Sequence, residues 1–303
     1  MPALPTITVV TPSLNQGGFL EAAIRSVLSQ GYPNLEYVVV DGGSTDESVE
    51  IIRRYEDRLH AWISEPDDGQ YDAIRKGFEL GSGEIMAWLN ADDLYFPWAL
   101  ETVASIMSEL PQVQWLTSLN PAVWDEAGRC VKVDRVIGYA REAFLDGYYV
   151  PWGNESNGGW IQQESTFWTR NLWLAAGGRL DDDLKLAGDF ALWSRFYDHD
   201  ALYATPALLG GFRRHGSAHR SDDRETYVRE AYAALEAMRG RAGWSRSRSR
   251  SLARRLRVME LPRARSVVGR RMGYTAHWVV RVGDRWRIDR PRFLHRTAVE
   301  TYD

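Results

Sequence analysis

Cysteine is almost absent. Cys130 is the only one in 303 residues, which excludes a disulfide framework and any zinc site built on thiolates. No run of 18 apolar residues occurs, so a spanning helix is excluded. The opening MPALPTITVV has neither a basic segment nor a long apolar stretch, so no secretory leader is read. A cytoplasmic compartment is the expectation. There is no long internal repeat, and no G-x-G-x-x-G follows the first strand-like segment. Thr11-Pro12-Ser13-Leu14-Asn15 stands there instead, which disfavours a dinucleotide-dependent oxidoreductase. What remains, 44% hydrophobic and 26% charged, is ordinary for a globular chain. The length suits one large domain, or a domain with an appendage.

Charge is unevenly spread. The net charge is −4, yet residues 1–238 carry 19 basic against 36 acidic side chains. Residues 239–303 carry 18 basic, all arginine, against 5 acidic. Six of them (Arg246, Arg248, Arg250, Arg254, Arg255 and Arg257) crowd twelve residues, with Leu252, Leu256 and Val258 among or beside them. Two readings stand side by side. The tail holds the protein peripherally at an anionic membrane surface, or it wraps the acidic body. Nucleic acid is not an expected partner, because the body is acidic.

The first third alternates strand and helix patterns. Ile7–Thr11, Leu35–Val40, His60–Ser64 and Glu84–Leu89 read as buried strands. Between them, apolar residues recur at helical spacing from Phe19 to Leu28, after Ser44 and from Tyr71 to Leu80. Ser44-Thr45-Asp46-Glu47 has the spacing of a capping box. Such units imply an α/β fold with a mostly parallel sheet covered by helices on both faces. Further on, Gln114–Thr117 and Ala122–Val133 look strand-like, and Trp152–Gly159 is a polar loop. Phe190–Tyr197 and Thr226–Met238 are helical by pattern, and Ala201–Phe212 contains a strand. Tyr274–Ile288 alternates as a hairpin would, turning at Gly283-Asp284.

Polar clusters follow the first four strands: Thr11–Asn15, Asp41–Asp46, Glu65–Asp72 and Asn90–Asp93. In an open parallel sheet, ligands bind outside the carboxyl ends of the strands, so the four should converge. Turn chemistry explains any one of them alone. Asn90-Ala91-Asp92-Asp93 is the sharpest feature. Adjacent carboxylates repel unless a cation lies between them and a phosphate, and such hard oxygen ligands suit Mg²⁺ or Mn²⁺ held jointly with a diphosphate. A capping pair for the next helix is the alternative.

From TPSLNQGGFLEAAIRSVLSQGYPNLEYVVVDGGSTDESVEIIRRY through SEPDDGQYDAIRKGF, GEIMAWLNADD and WIQQESTFWTRNLWLAAGGRLDDDLKLAGDFALWSRF to FRRHGSAHR, the chain resembles a family 2 glycosyltransferase of GT-A fold. The resemblance covers roughly residues 5–222. It implies an inverting, divalent-cation-dependent enzyme moving a sugar from a nucleotide diphosphate donor, a UDP-sugar above all, to a hydroxyl of a glycan or lipid-linked glycan. It further implies a catalytic domain over residues 1–222, its nucleotide-sugar part over 1–118 and its acceptor part over 119–222. Residues 223–303 then form a helical, arginine-rich extension ending in a hairpin.

By the same resemblance, Thr11, Pro12 and Asn15 belong to the first donor loop, and Asp41, with Ser44, reads the nucleobase. Glu65, Gly69 and Asp72 lie on the base and ribose side. Asn90, Ala91 and Asp92 face the donor, Asp93 and His215 the metal, and Ser217 the diphosphate. Asp189 matches the catalytic base, with capping of its helix as the alternative role. Gln162, Gln163, Glu164 and Thr166 precede an aromatic strand and suit sugar hydroxyls, with Trp193 also on the acceptor side. Gly188, Ala191 and Arg75 depart from the family pattern, where acidic residues and asparagine are common. The rivals are a nucleotidyltransferase-like enzyme on a similar sheet and a non-catalytic nucleotide- or glycan-binding module.

Overall fold

The computed structural model describes residues 4–153, 159–181, 183–216, 223–245 and 274–290. Along the first third, β1 (Ile7–Ser13), α1 (Gly17–Leu28), β2 (Leu35–Asp41), α2 (Ser48–Arg54), β3 (Ala61–Ser64), α3 (Gln70–Leu80) and β4 (Ile85–Trp88) alternate. β1 pairs in parallel with both β2 and β4, and β2 with β3. Every residue of β1 is buried, as parallel strands covered on both faces must be. Successive side chains point to opposite faces. Val10 therefore joins a core with Trp88, Trp168 and Trp193, while Val9 joins Ile24 and Leu116 on the other face. α3 lies so close to the sheet that a Cβ at Gly77 would come within 2.3 Å of Val10.

The chain continues through β5 (Leu94–Tyr95), α4 (Ala99–Glu109), β6 (Trp115–Ser118), β7 (Ala122–Trp124), β8 (Cys130–Val133) and α5 (Arg141–Leu145). Then come β9 (Phe167–Thr169), α6 (Arg170–Ala175), α7 (Gly188–Phe196), β10 (Tyr203–Thr205), β11 (Gly210–Arg213), α8 (Arg224–Arg241), β12 (His277–Val282) and β13 (Arg285–Asp289). Among the described residues the main sheet has nine strands in the order β13-β12-β10-β6-β9-β4-β1-β2-β3. β9 runs antiparallel to both neighbours. The segment 122–133 is not one strand but the pair β7–β8, which joins β11 and β5 in a smaller sheet.

The hairpin β12–β13 turns at Gly283-Asp284 and adds to the main sheet through a parallel pairing of β12 with β10. The Trp286 indole donates to Ser105 Oγ on α4 at 2.8 Å. The capping box expected at Ser44–Glu47 does not form. Ser44 turns back to Asp41, and Asp46 instead accepts from Gly17 N at the start of α1 and from Ser48 N at the start of α2. One carboxylate thus serves two helix N-termini. Ser217 and the arginines of 246–257 lie outside the described residues. Among those described, no helix is long and apolar enough to cross a membrane.

Candidate active site

Parallel register brings the first strand ends together: Ser13 aligns with Asp41, and Asp41 with Ser64. Asp41 is fully buried and accepts from Ser44 N (2.9 Å), Gly43 N (3.2 Å), Ser44 Oγ (2.5 Å) and Ser64 Oγ (2.8 Å). Asn15 adopts a left-handed backbone, φ +52°, in which its N–H donates to Ser44 Oγ and its Oδ1 accepts from Thr45 N, each at 2.8 Å. Asn15, Asp41 and Ser44 are therefore one linked unit. Thr11 and Pro12 are buried beneath it, the Thr11 hydroxyl 3.0 Å from that of Tyr37. Gly69, φ +113°, leads into α3. Lys76 joins Glu65 (2.9 Å) to Asp72 (3.3 Å), and Arg75 pairs with Asp72.

The two adjacent aspartates that follow β4 point in different directions, and Asp93, the one expected to meet the metal, is the buried one. Asp93 is 0% exposed. Its Oδ1 accepts from Arg213 N (2.8 Å) and its Oδ2 from Asn90 Nδ2 (2.9 Å). Burial first, then repulsion by Glu164 and Asp92, raises its carboxyl well above the usual range. Asp92, 21% exposed, faces His215 instead, its Oδ2 3.0 Å from Nε2. The His215 ring packs against Phe19, 4.0 Å between centroids and tilted by 36°. Ala91 is buried, and Asn90 is held by Gln70 Nε2 at its Oδ1.

Asp189 is the second residue of α7, not its cap. Its Oδ1 accepts from Phe190 N (2.7 Å) and from the Tyr227 hydroxyl (3.4 Å). It lines a small pocket walled by Tyr149, Trp160, Phe190, Trp193 and Tyr227. Trp193 is otherwise a core residue, stacked 8° from parallel on Trp88. Gly188 has a physical reason: a Cβ there would sit 2.5 Å from the Tyr71 ring. The Tyr71 hydroxyl donates to Leu186 O (2.7 Å) and accepts from Gly188 N (2.8 Å), so an acidic residue at 188 would displace it. Ala191 is buried, and Arg75 is engaged with Asp72 and Glu79.

Glu164 connects the two halves. It is buried, hydrogen-bonded to Asp93 and close enough to Asp189 to feel its charge. Desolvation, with repulsion from Asp189 and Asp92, pushes its carboxyl up to about 7. Its neighbours do not all reach the cleft as expected of sugar-binding residues. Gln162 pairs with both the N–H and the carbonyl of Ala122, and the fully buried Thr166 hydroxyl with Thr117 and Gln162 O. Gln163 donates to Trp88 O and lies beside Asn90.

Residues 8–119 match the model of Glycosyl transferase family 2. An uncharacterized glycosyltransferase of Mycobacterium tuberculosis is 30% identical over 213 residues, 69% of this chain and 74% of that protein. The chain belongs to glycosyltransferase family 2. Another uncharacterized glycosyltransferase, from Rickettsia prowazekii, is 26% identical over 70% of this chain and 65% of its own length. The match thus spans just under two thirds of that relative. The GT-A fold is shared with S. aureus TarS residues 1–349 (TM-score 0.56, 16% identity, 96% of this chain and 99% of that one), also solved with UDP-GlcNAc. It is shared too with the mannosyltransferase PcManGT of Pyrobaculum calidifontis, solved with GDP-Man and Mn²⁺ (TM-score 0.52, 18% identity, 88% and 84%).

Sequence reasoning missed Arg213 in this family member, because it stands in a basic run beside Arg214. The structure separates the two. Arg213 is 2% exposed, its guanidinium 5.3 Å from the Phe19 ring, with Nε and one Nη lacking a hydrogen-bond partner among the described residues. Burial lowers its pKa although Asp93 and Asp92 favour the charge.

Glu164 yields a stability prediction. Its folded pKa lies above its unfolded value of 4.5, so its contribution is greatest below about pH 4.5 and is lost as pH rises through about 7. In EDTA, Glu164→Gln, whose amide still reaches Asp93, melts several degrees above wild type at pH 8 and shows no such gain at pH 5. Melting curves at both values check it. A variant equally destabilised at both would contradict the raised pKa.

Proposed function

We propose that the protein transfers a sugar with inversion from a nucleotide diphosphate donor, a UDP-sugar first, to a hydroxyl of a glycan or lipid-linked glycan. One observation supports the reading above others: adjacent residues of α3 reach both regions, Gln70 holding Asn90 and the Tyr71 hydroxyl accepting from Gly188 N next to Asp189, so the proposed base and the proposed donor-side carboxylates lie around one helix start. The acceptor oxygen attacks C1 while Asp189 takes its proton, and the C1–O bond to the diphosphate breaks with its electron pair leaving on phosphate. Tyr227 orients Asp189 through Oδ1. Aromatic walls beside the base suit the apolar faces of sugar rings.

For a divalent cation, the residues present fit. Asp92 Oδ2 and His215 Nε2 face one another at 3.0 Å, a hard oxygen and an imidazole that Mn²⁺ or Mg²⁺ accepts. Among the described residues no group of three or more such side chains converges. The remaining ligands therefore fall to the diphosphate and water, which is how Mg²⁺ commonly binds. A bound cation supplies charge neutralisation to the departing diphosphate. The buried, under-bonded Arg213 adds a second positive charge beside the same carboxylates. Asn15, Asp41 and Ser44 form the nucleobase wall, with Glu65, Gly69 and Asp72 beyond it.

The test is a thermal-shift panel of UDP, GDP and dTDP, each with Mn²⁺ or EDTA. A nucleotide at a hundred times its dissociation constant should stabilise the fold by about 2.7 kcal/mol. UDP with Mn²⁺ should give the largest shift and EDTA should remove most of it. A melting point indifferent to all six conditions overturns the proposal.

A further inference from the structure

Helix α7 begins without a capping side chain of its own, since Ala187 occupies the cap position. Its first backbone N–H groups, and those just before it, need acceptors. The acceptor comes from elsewhere in the chain. Glu230, buried on α8, places its Oε2 at 2.9 Å from Leu186 N, 3.0 Å from Ala187 N and 3.2 Å from Lys185 N. Its Oε1 accepts from Lys185 N as well, at 3.1 Å. One carboxylate therefore gathers three consecutive N–H donors, two residues ahead of Asp189. Tyr227, one turn earlier on the same helix and so on the same face, donates to Asp189 itself.

Hydrogen bonds from N–H groups to a carboxylate are shorter and stronger than neutral ones, and an anion at a helix N-terminus is favoured by the helix dipole. A neutral side chain would hold the loop less firmly. An apolar one would leave three N–H donors without this acceptor, that of Ala187 buried. The Tyr71 hydroxyl, which bridges Leu186 O and Gly188 N from the α3 side, holds the loop from the other flank. Together they fix where the second residue of α7 stands.

We infer that Glu230 is the positioning residue for Asp189: its carboxylate holds the 185–187 backbone so that the Asp189 carboxylate meets the acceptor hydroxyl. The inference rests on Asp189 being the base. The hydrogen bonds that Glu230 makes among the described residues all go to the 185–187 backbone, and none goes to the β1–β4 strand ends proposed as the donor wall. Its loss therefore acts on turnover and spares nucleotide affinity. Displacement of a catalytic group by about an ångström costs on the order of 10²-fold in rate.

The experiment compares wild type, Glu230→Leu, Glu230→Gln and Asp189→Asn. Turnover is read as release of UDP from whichever of a panel of UDP-sugars the wild type turns over fastest, and affinity as calorimetric binding of UDP with Mn²⁺. Glu230→Leu should lower kcat by roughly 10²-fold and leave UDP affinity within about twofold. Glu230→Gln, whose amide oxygen still accepts from Leu186 and Ala187, should recover most of it, to within about tenfold of wild type. Hydrogen exchange at Leu186 and Ala187 should quicken in the leucine variant. Wild-type kcat in Glu230→Leu beside an inactive Asp189→Asn overturns the positioning role and leaves the base in place. Wild-type turnover in Asp189→Asn overturns the base, and the positioning role with it. Should the leucine variant fail to fold, the glutamine variant decides. A fall in kcat at unchanged UDP affinity supports the role, whereas equal losses in both, or none, overturn it.

Discussion

Asp189→Asn lowers turnover by about 10²–10⁴-fold, the usual worth of general base catalysis, while UDP affinity with Mn²⁺ stays within about twofold of wild type. The asparagine keeps the side-chain oxygen that accepts from Phe190 N and the Tyr227 hydroxyl, so α7 and its pocket persist. What disappears is the capacity to take a proton. Asp189 lies between Glu164 and Tyr227 in a pocket of aromatic walls, with no basic side chain lining that pocket among the described residues to serve in its place. Matched steady-state kinetics and calorimetry measure both quantities. A variant that turns over at the wild-type rate would show that another group accepts the proton.

Asp92→Asn abolishes the difference between UDP binding in Mn²⁺ and in EDTA, whereas Asp93→Asn keeps it. Adjacent in sequence, the two differ completely in surroundings. Asp92 meets His215 at the cleft, and Asp93 is sealed between Arg213 N, Asn90 and Glu164. An amide is a poor ligand for a hard cation compared with a carboxylate, so losing Asp92 removes half of the protein's share of the site. Asp93→Asn is an isosteric change at a buried carboxyl whose charged form burial disfavours, and its fold persists. Calorimetric titration of UDP into each protein, with Mn²⁺ and with EDTA, makes the comparison. A metal effect lost in Asp93→Asn and kept in Asp92→Asn would reverse the assignment.

Much of the architecture is legible in local pattern. Ile7–Thr11, Leu35–Val40 and Glu84–Leu89 are apolar runs of strand length, and each became a strand of the parallel sheet. Their register follows from the units that connect them, so the convergence of Asn15, Asp41 and Asn90 at one sheet edge is legible too. Caps were less so. Ser44 and Glu47 have the right spacing, yet Ser44 has a better partner in the buried Asp41, and Asp46 takes the helix N-termini. A capping box is a statement about spacing alone, and a strand end one turn away changes which acceptor wins.

Local composition and periodicity determined the α/β alternation and the polar clusters at the strand ends, because these depend on residues a few positions apart, and the family motifs were legible by resemblance. Tertiary structure alone decided the surroundings of each carboxylate. Asp92 and Asp93 are told apart only when β11, some 120 residues later, delivers Arg213 N to one and His215 to the other. Asp189 accepts from Phe190 N within the first turn of α7, while Glu230, on a helix more than forty residues downstream, takes the N–H groups of 185–187 ahead of it. Desolvation and hydrogen-bond competition act through space. Neither leaves a period or a spacing in the sequence from which it could be read.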